Sequence, residues 1–184
     1  MECREWAAAL TTARYAYALR TPAAELVHAL KYEGWEAAAD LMALAMASVE
    51  LPPLPPGERR VVVPVPTTRA RRRRRGYDQA ELLAERVARA IRAPLCRAVV
   101  RTGERPSQTA LTPSERRENV RGVFRPDQSV GDAMKGVQVL LVDDVLTTGA
   151  TASEVAAVLA SMGTRTVSLV AFARALPTPS GGGR

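Results

Sequence analysis

Four short β-branched runs constrain this chain more than anything else in it: "RRVVVPV" (59–65), "PLCRAVV" (94–100), "VQVLLVDDV" (137–145) and "RTVSLVAFA" (165–173). Runs this short and this apolar suit strands buried on both faces, which have no wet side to force a polar alternation. Between them the period changes. "YDQAELLAERVARAIR" places Ala80, Leu83, Ala84, Val87 and Ile91 on one helical face. "TASEVAAVLASMG" does the same with Val155, Val158, Leu159 and Met162, then stops at Gly163. Strands alternating with helices predict an α/β fold with a mainly parallel sheet flanked by helices.

The region ahead of the first run is different. Residues Glu2 to Arg20 read as a weak helix. "TPAAELVHALKYEG" reads as a second, with Thr21 as N-cap, Pro22 at the first helical position, a stripe of Ala23, Leu26, Val27 and Leu30, and a stop near Gly34. The alanine-rich "WEAAADLMALAMASVE" reads as a third. "LPPLPPGE" then breaks the chain, since it suits neither a helix nor a central strand. The expected organisation is a small N-terminal helical hood with its linker over 1–57, a core over 58–176, and a disordered tail over 177–184. Within the core, 101–124 holds two prolines and few apolar residues, which marks a flexible functional loop. His28, the only histidine, lies beside the helix stripe and reads as a packed or half-exposed helix residue rather than a catalytic base.

With 184 residues, 47% of them hydrophobic, the chain is one domain long and able to bury a core. No stretch approaches the roughly 18 apolar residues of a membrane span, and acids and arginines interrupt the N-terminal segment, so a cytoplasmic protein without membrane insertion is expected. Cys3 and Cys96 have no pair spacing, which argues against a zinc site or a disulfide framework. A formal net charge of +7 favours anionic partners. The charge is concentrated in Arg69 and in the run Arg71, Arg72, Arg73, Arg74 and Arg75, with a looser series from Arg97 to Arg125 that also suits an ordinary solvated surface.

Ligands of open α/β sheets bind beyond the carboxyl ends of the strands. Two loops fall there, "PVPTTRARRRRRG" after the first strand and "DDVLTTGAT" after the strand ending at Val142. In the second, the amides of Thr147 to Thr151 lead into a helix. Its unpaired donors and positive dipole end suit a phosphate, the hydroxyls of Thr147, Thr148 and Thr151 add contacts, and Gly149 allows close approach. Asp143 and Asp144 would repel that phosphate, so they should face sugar hydroxyls or a magnesium ion. Phosphate beside a polyhydroxy ring describes a ribose 5-phosphate.

Two acids after an apolar strand, followed by a threonine- and glycine-rich turn, resemble the phosphoribosyl pyrophosphate (PRPP) motif of type I phosphoribosyltransferases. Together "LKYEGW", "VPVPTTRARRRRRGYDQAELLA", "RTGERPSQTALTPSERRENVRGVF" and "VLLVDDVLTTGATASEVAAVLASMG" resemble, in order, the ComF (GntX) family, whose members contain a phosphoribosyltransferase domain. The likeness runs from about Tyr15 onward. It implies that Asp143 and Asp144 hold the ribose hydroxyls, that Thr147, Thr148, Gly149, Ala150 and Thr151 wrap the 5-phosphate, and that Thr67, Thr68 and Arg69 form the pyrophosphate loop. Magnesium would be the cofactor, bound with PRPP, and 101–124 would close over the site. Many members carry an N-terminal cysteine-rich zinc module. Here only Cys3 stands in that region, which reads as a short form. Purine-salvage relatives carry an acid where this chain has Thr147, which argues against hypoxanthine or guanine as acceptor.

Three functions are compatible with this reading. One is phosphoribosyl transfer from PRPP to an acceptor that the sequence does not identify, with no catalytic residue assigned. A second is a DNA-uptake accessory that senses PRPP or another phosphorylated ribose and uses Arg71 to Arg75 to contact single-stranded DNA. The third is a regulator without turnover, disfavoured because the N-terminal helices lack a basic recognition face. Partners implied by the resemblance are proteins of the competence machinery and a second copy of the chain. Lys31 and Tyr32 either reach the site from the hood or form an exposed helix end.

Overall fold

The computed structural model describes residues 8–103 and 120–176. Most of the expected 101–124 loop and the whole 177–184 tail lie outside them. Four parallel strands form the central sheet: β1 (Leu10–Ala18), β2 (Arg60–Pro64), β5 (Gln138–Leu146) and β6 (Thr166–Arg174), in the order β1-β6-β5-β2. β5 lies between two neighbours, with Val63 opposite Leu141 on one side and Leu169 opposite Leu141 on the other.

β5 is apolar on both faces because both are covered. Val139 and Leu141 pack with Val155 and Leu159 of α5 (Ala150–Ser161). Leu140 and Val142 pack on the opposite face with Leu30 of α1 (Ala23–Tyr32), Met42 and Met46 of α2 (Ala37–Ala47), and Leu83 and Val87 of α4 (Gln79–Ala90). Each such aliphatic side chain contributes about 1.5–3 kcal/mol on burial, which holds three layers together around one strand.

The N-terminal segment corrects the helical reading. Leu10–Ala18 is not helix but edge strand β1, paired in parallel with β6, with Tyr15 opposite Ala171 and Tyr17 opposite Ala173. The alanines supply helix propensity, but backbone pairing at the open edge of β6 overrides it. Tyr17 also meets Phe172 edge-on at 5.5 Å. The expected hood is therefore partly sheet, and its helices α1 and α2 lie on the sheet face beside α4.

The run at 94–100 is mostly not a strand. Leu95 makes a single parallel bridge to Val62, flanked by hydrogen bonds from the Val62 amide to the Pro94 carbonyl at 2.8 Å and from the Cys96 amide to the Val62 carbonyl at 2.9 Å. Only β3 (Val99–Arg101) is extended, pairing antiparallel with β4 (Phe124–Pro126) in a separate ribbon. Among the described residues no helix is long and apolar enough to cross a membrane.

Leu140→Ala should cost about 2–5 kcal/mol, because the side chain is enclosed between the sheet and three helices and the cavity cannot collapse. Urea unfolding followed by circular dichroism measures this; a loss below 1 kcal/mol would contradict the layer packing.

Candidate functional site

β2 and β5 are neighbours whose chains leave the sheet in opposite directions. From β2 the chain passes through α3 (Arg69–Arg75) and α4 on the α1–α2 face, then comes to Leu95 beyond β2. From β5 it passes through α5 on the other face and returns in β6. Adjacent parallel strands that diverge in this way leave a crevice at their carboxyl ends. Both segments singled out in the sequence open there.

The acids come first. β5 continues to Leu146, so Asp143 and Asp144 belong to the strand rather than to the loop expected after Val142, and Asp143 stands opposite Ala171. An Asp143 carboxylate oxygen accepts from the Asp144 amide at 2.9 Å. Asp144 Oδ2 forms an ion pair with Lys31 Nζ at 2.7 Å, with only 21% of the lysine and 13% of the aspartate side chain exposed. Burial, followed by the Asp144 charge, pushes Asp143 up to about 8, and the opposing pull of Lys31 and of the Asp144 amide recovers only part of the shift. Near neutral pH Asp143 therefore tends to keep its proton. Lys31 reaches the site, whereas Tyr32 is 61% exposed and lies under Arg75, whose guanidinium carbon is 5.3 Å from the ring centre.

The turn after β5 ends in a helix start. Thr147 is exposed, Thr148 and Thr151 are half-buried, and Gly149 is buried with φ +78°. A residue with a Cβ resists that conformation, and Gly149 uses it to start α5 at Ala150. The Ala150 amide leans on Thr148 Oγ1 at 3.4 Å. α5 has no side-chain cap bond and no acid in its first turn. Donors of that kind, at the positive end of a helix, suit a phosphate.

The second loop continues the ladder by one bond, from the Val65 amide to the Val142 carbonyl at 2.9 Å. It is then held by a residue not singled out in the sequence. Asp78 caps α4, accepting from the Ala80 amide at 3.0 Å and the Glu81 amide at 3.3 Å, and its other oxygen accepts from the Thr67 amide at 3.2 Å. Burial pushes Asp78 above the usual carboxylate range, opposed by these three amides. The spacing Asp78-Gln79-Ala80-Glu81 matches a helix-capping pattern, a signal the sequence did carry.

The arginine block corrects a second expectation. It is not loop but helix α3, capped by Thr68 Oγ1, which accepts from the Arg71 amide at 3.2 Å, and ended by Gly76 at φ +83°. The helix divides the arginines. Arg72 turns to Glu81 at 3.7 Å, and Arg75 turns to Gln79 and Tyr32. Arg69 and Arg73 line a cleft of about 610 Å³ with Thr68, Val100, Arg101, Thr102 and Gly103. Arg71 and Arg74 are exposed. Thus Thr68 and Arg69 line this cleft, whose lining includes neither the acid pair nor the 147–151 turn, and the block as a whole does not form one surface.

The raised affinity of Asp143 for a proton has a stability consequence. Between about pH 4, the ordinary aspartate value, and about pH 8 the folded chain keeps a proton that the unfolded chain releases. Stability therefore falls as pH rises through that window. The melting temperature of the wild type should drop between pH 5 and 8.5 by about 3 °C or more beyond that of Asp143→Asn. Parallel pH profiles would show that the proton is not on this pair.

No family model matches the chain. It is 35% identical over 115 residues to competence protein F of Haemophilus influenzae, an alignment that spans 62% of this chain and about half, 50%, of that protein. It is 32% identical over 185 residues to DNA utilization protein YhgH of Escherichia coli, spanning 93% of this chain and 74% of that one. Competence protein ComFC of Bacillus subtilis is 32% identical over 96 residues, 52% of this chain and 36% of the relative. Among solved structures, glutamine PRPP amidotransferase from B. subtilis, complexed with ADP and GMP, matches at a TM-score of 0.47 and 19% identity, over 74% of this chain and 26% of that one. The 32% identity to YhgH, aligned along 74% of that relative's length, shows that the chain belongs to the family of DNA utilization protein YhgH, which competence protein F resembles over the half of its length that matches here.

Proposed function

We propose that the crevice binds PRPP, or another 5-phosphorylated ribose, and that the chain transfers the phosphoribosyl group to an acceptor with release of pyrophosphate. One observation carries the reading: an acid pair at the end of β5 is followed within a few residues by a helix entered through Gly149, which offers no side-chain cap, at the point where β2 and β5 diverge. The amides and hydroxyls of Thr147–Thr151 would hold the 5-phosphate. Asp144 and Asp143 would take the ribose hydroxyls, the first accepting and the second, while protonated, also able to donate. Thr67, Thr68 and Arg69 would hold the pyrophosphate. The bond from ribose C1 to pyrophosphate oxygen breaks as the acceptor's lone pair forms a bond to C1.

Among the described residues no cluster of three His, Cys, Asp or Glu side chains stands ready to ligate a metal. Oxygen donors of a pyrophosphate beside Thr67 and Thr68 suit magnesium, which when bound would neutralise the leaving group. The chain itself would contribute placement, holding acceptor and C1 in line.

The relatives named for DNA utilization and the exposed face of α3 favour a second, compatible reading, in which arginines of α3 contact the backbone of single-stranded DNA. Such contacts are salt-dependent and independent of sequence.

Asp143→Asn combined with Asp144→Asn should weaken PRPP binding about tenfold or more, with the circular dichroism spectrum unchanged. Calorimetric titration with PRPP and magnesium checks this, and unchanged affinity would remove the ribose assignment. For the second reading, Arg73→Ser with Arg74→Ser should reduce the salt slope of single-stranded DNA binding by about 1.4, two contacts at about 0.7 each. Arg72→Ser should leave the slope nearly unchanged, because that side chain is engaged by Glu81. Fluorescence anisotropy across a salt series measures both; equal slopes in all three proteins would place any DNA surface away from α3.

A further inference from the structure

We infer that Lys31 is a resident counter-ion of Asp144 that keeps free divalent cations off the acid pair and so reserves the pair for neutral ribose hydroxyls. The ligand named here rests on the phosphoribose reading; the exclusion of cations rests on the geometry of the chain alone.

Two consecutive carboxyls at the mouth of a crevice would ordinarily attract a hard divalent cation, which seeks clustered oxygen ligands. Lys31 Nζ occupies that position instead, 2.7 Å from Asp144 Oδ2 and largely shielded from solvent. A cation approaching the same oxygen would meet a full positive charge where screening is weak. A hydroxyl group meets no such repulsion, and the carboxylate retains lone pairs to accept from it.

The helix end that carries the lysine is held from three directions. Leu30, its neighbour, is fully buried in the layer between α1, α2 and the sheet. The Leu30 carbonyl accepts from the Tyr77 hydroxyl, tying the end of α1 to the α3–α4 junction. Tyr32, on the other side, carries the Arg75 guanidinium over its ring. Lys31 also stands in the last turn of α1, where the unpaired carbonyls of a helix end favour a cation. The backbone from which the ammonium reaches Asp144 is thus tied to the same junction from which Asp78 holds the Thr67 amide.

It follows that magnesium reaches the crevice as a partner of the pyrophosphate and does not bind the acids beforehand. Lys31 then acts as a positioning and specificity residue, holding one oxygen of Asp144 while the ligand uses the other.

The test is manganese binding to the full ligand-free chain, followed by electron paramagnetic resonance, in the wild type, Lys31→Met, Lys31→Arg and the double variant Lys31→Met with Asp144→Asn. Lys31→Met should gain a manganese site about tenfold or more tighter than any in the wild type. Lys31→Arg should behave as the wild type does, and Asp144→Asn should abolish the gain. Equal affinity in wild type and Lys31→Met, or a gain that survives Asp144→Asn, would overturn the inference. Should Lys31→Met fail to give the wild-type circular dichroism spectrum, Lys31→Gln, which keeps a polar end, takes its place with the same expected outcomes. Titration of the wild type with PRPP runs alongside. Failure there would remove the phosphoribose reading, while the manganese result would still decide the role of Lys31.

Discussion

The site depends on one constraint in β5: the strand must be apolar on both faces through Val142 and polar immediately afterwards. Leu140 and Leu141 are each enclosed by a different helical layer, so the strand's position and register are fixed from both sides. The sheet ends there as a crevice, because β2 and β5 send their chains to opposite sides. Asp143 and Asp144 thus sit at the end of a strand that is packed on both faces. Burial near the core raises the proton affinity of Asp143, and proximity to α1 gives Asp144 its lysine. Rigidity of this kind suits a ligand bound through several polar contacts, since little order remains to be imposed.

The local parts of this arrangement were legible in the sequence. Strands β2, β5 and β6 and helices α4 and α5 announce themselves by period, and the acid pair with its threonine–glycine turn is contiguous. The non-local parts were not. Lys31 and Asp144 lie more than a hundred residues apart, and nothing in either segment states that α1 crosses the end of β5. Thr67 and Asp78 are held together by a cap that is legible as a cap, but its third bond depends on where the loop returns. β1 is hidden in the sequence for a different reason. Alanines Ala13, Ala16 and Ala18 carry helix propensity, and what makes the segment a strand is the unpaired edge of β6. Tyr15 and Tyr17, two residues apart, were the weak period-two signal within it.

The arginine run shows how a sequence can be read correctly for charge and incorrectly for shape. As a loop it would present every guanidinium to the same ligand. As a helix it divides them by turn, so that Arg72 and Arg75 serve the fold while Arg69 and Arg73 face the cleft. Arginine is a good helix former, and Thr68 and Gly76 supply a start and a stop, so the helical outcome follows from local rules once the repulsion is relieved. Glu81 provides some of that relief, pairing with Arg72 and also with Arg97.

Charge in this protein therefore acts at two ranges. The net charge of +7 draws anions toward the molecule, an effect that salt screens beyond about 8–10 Å. Around the acids the arrangement is close to neutral: a proton held on Asp143, one lysine against Asp144, and amides and hydroxyls at the head of α5. Attraction at a distance cannot distinguish one phosphate ester from another. In the function proposed above, discrimination would come from the near-neutral interior, where the α5 amides would take the phosphate and the acid pair the hydroxyls of one small molecule.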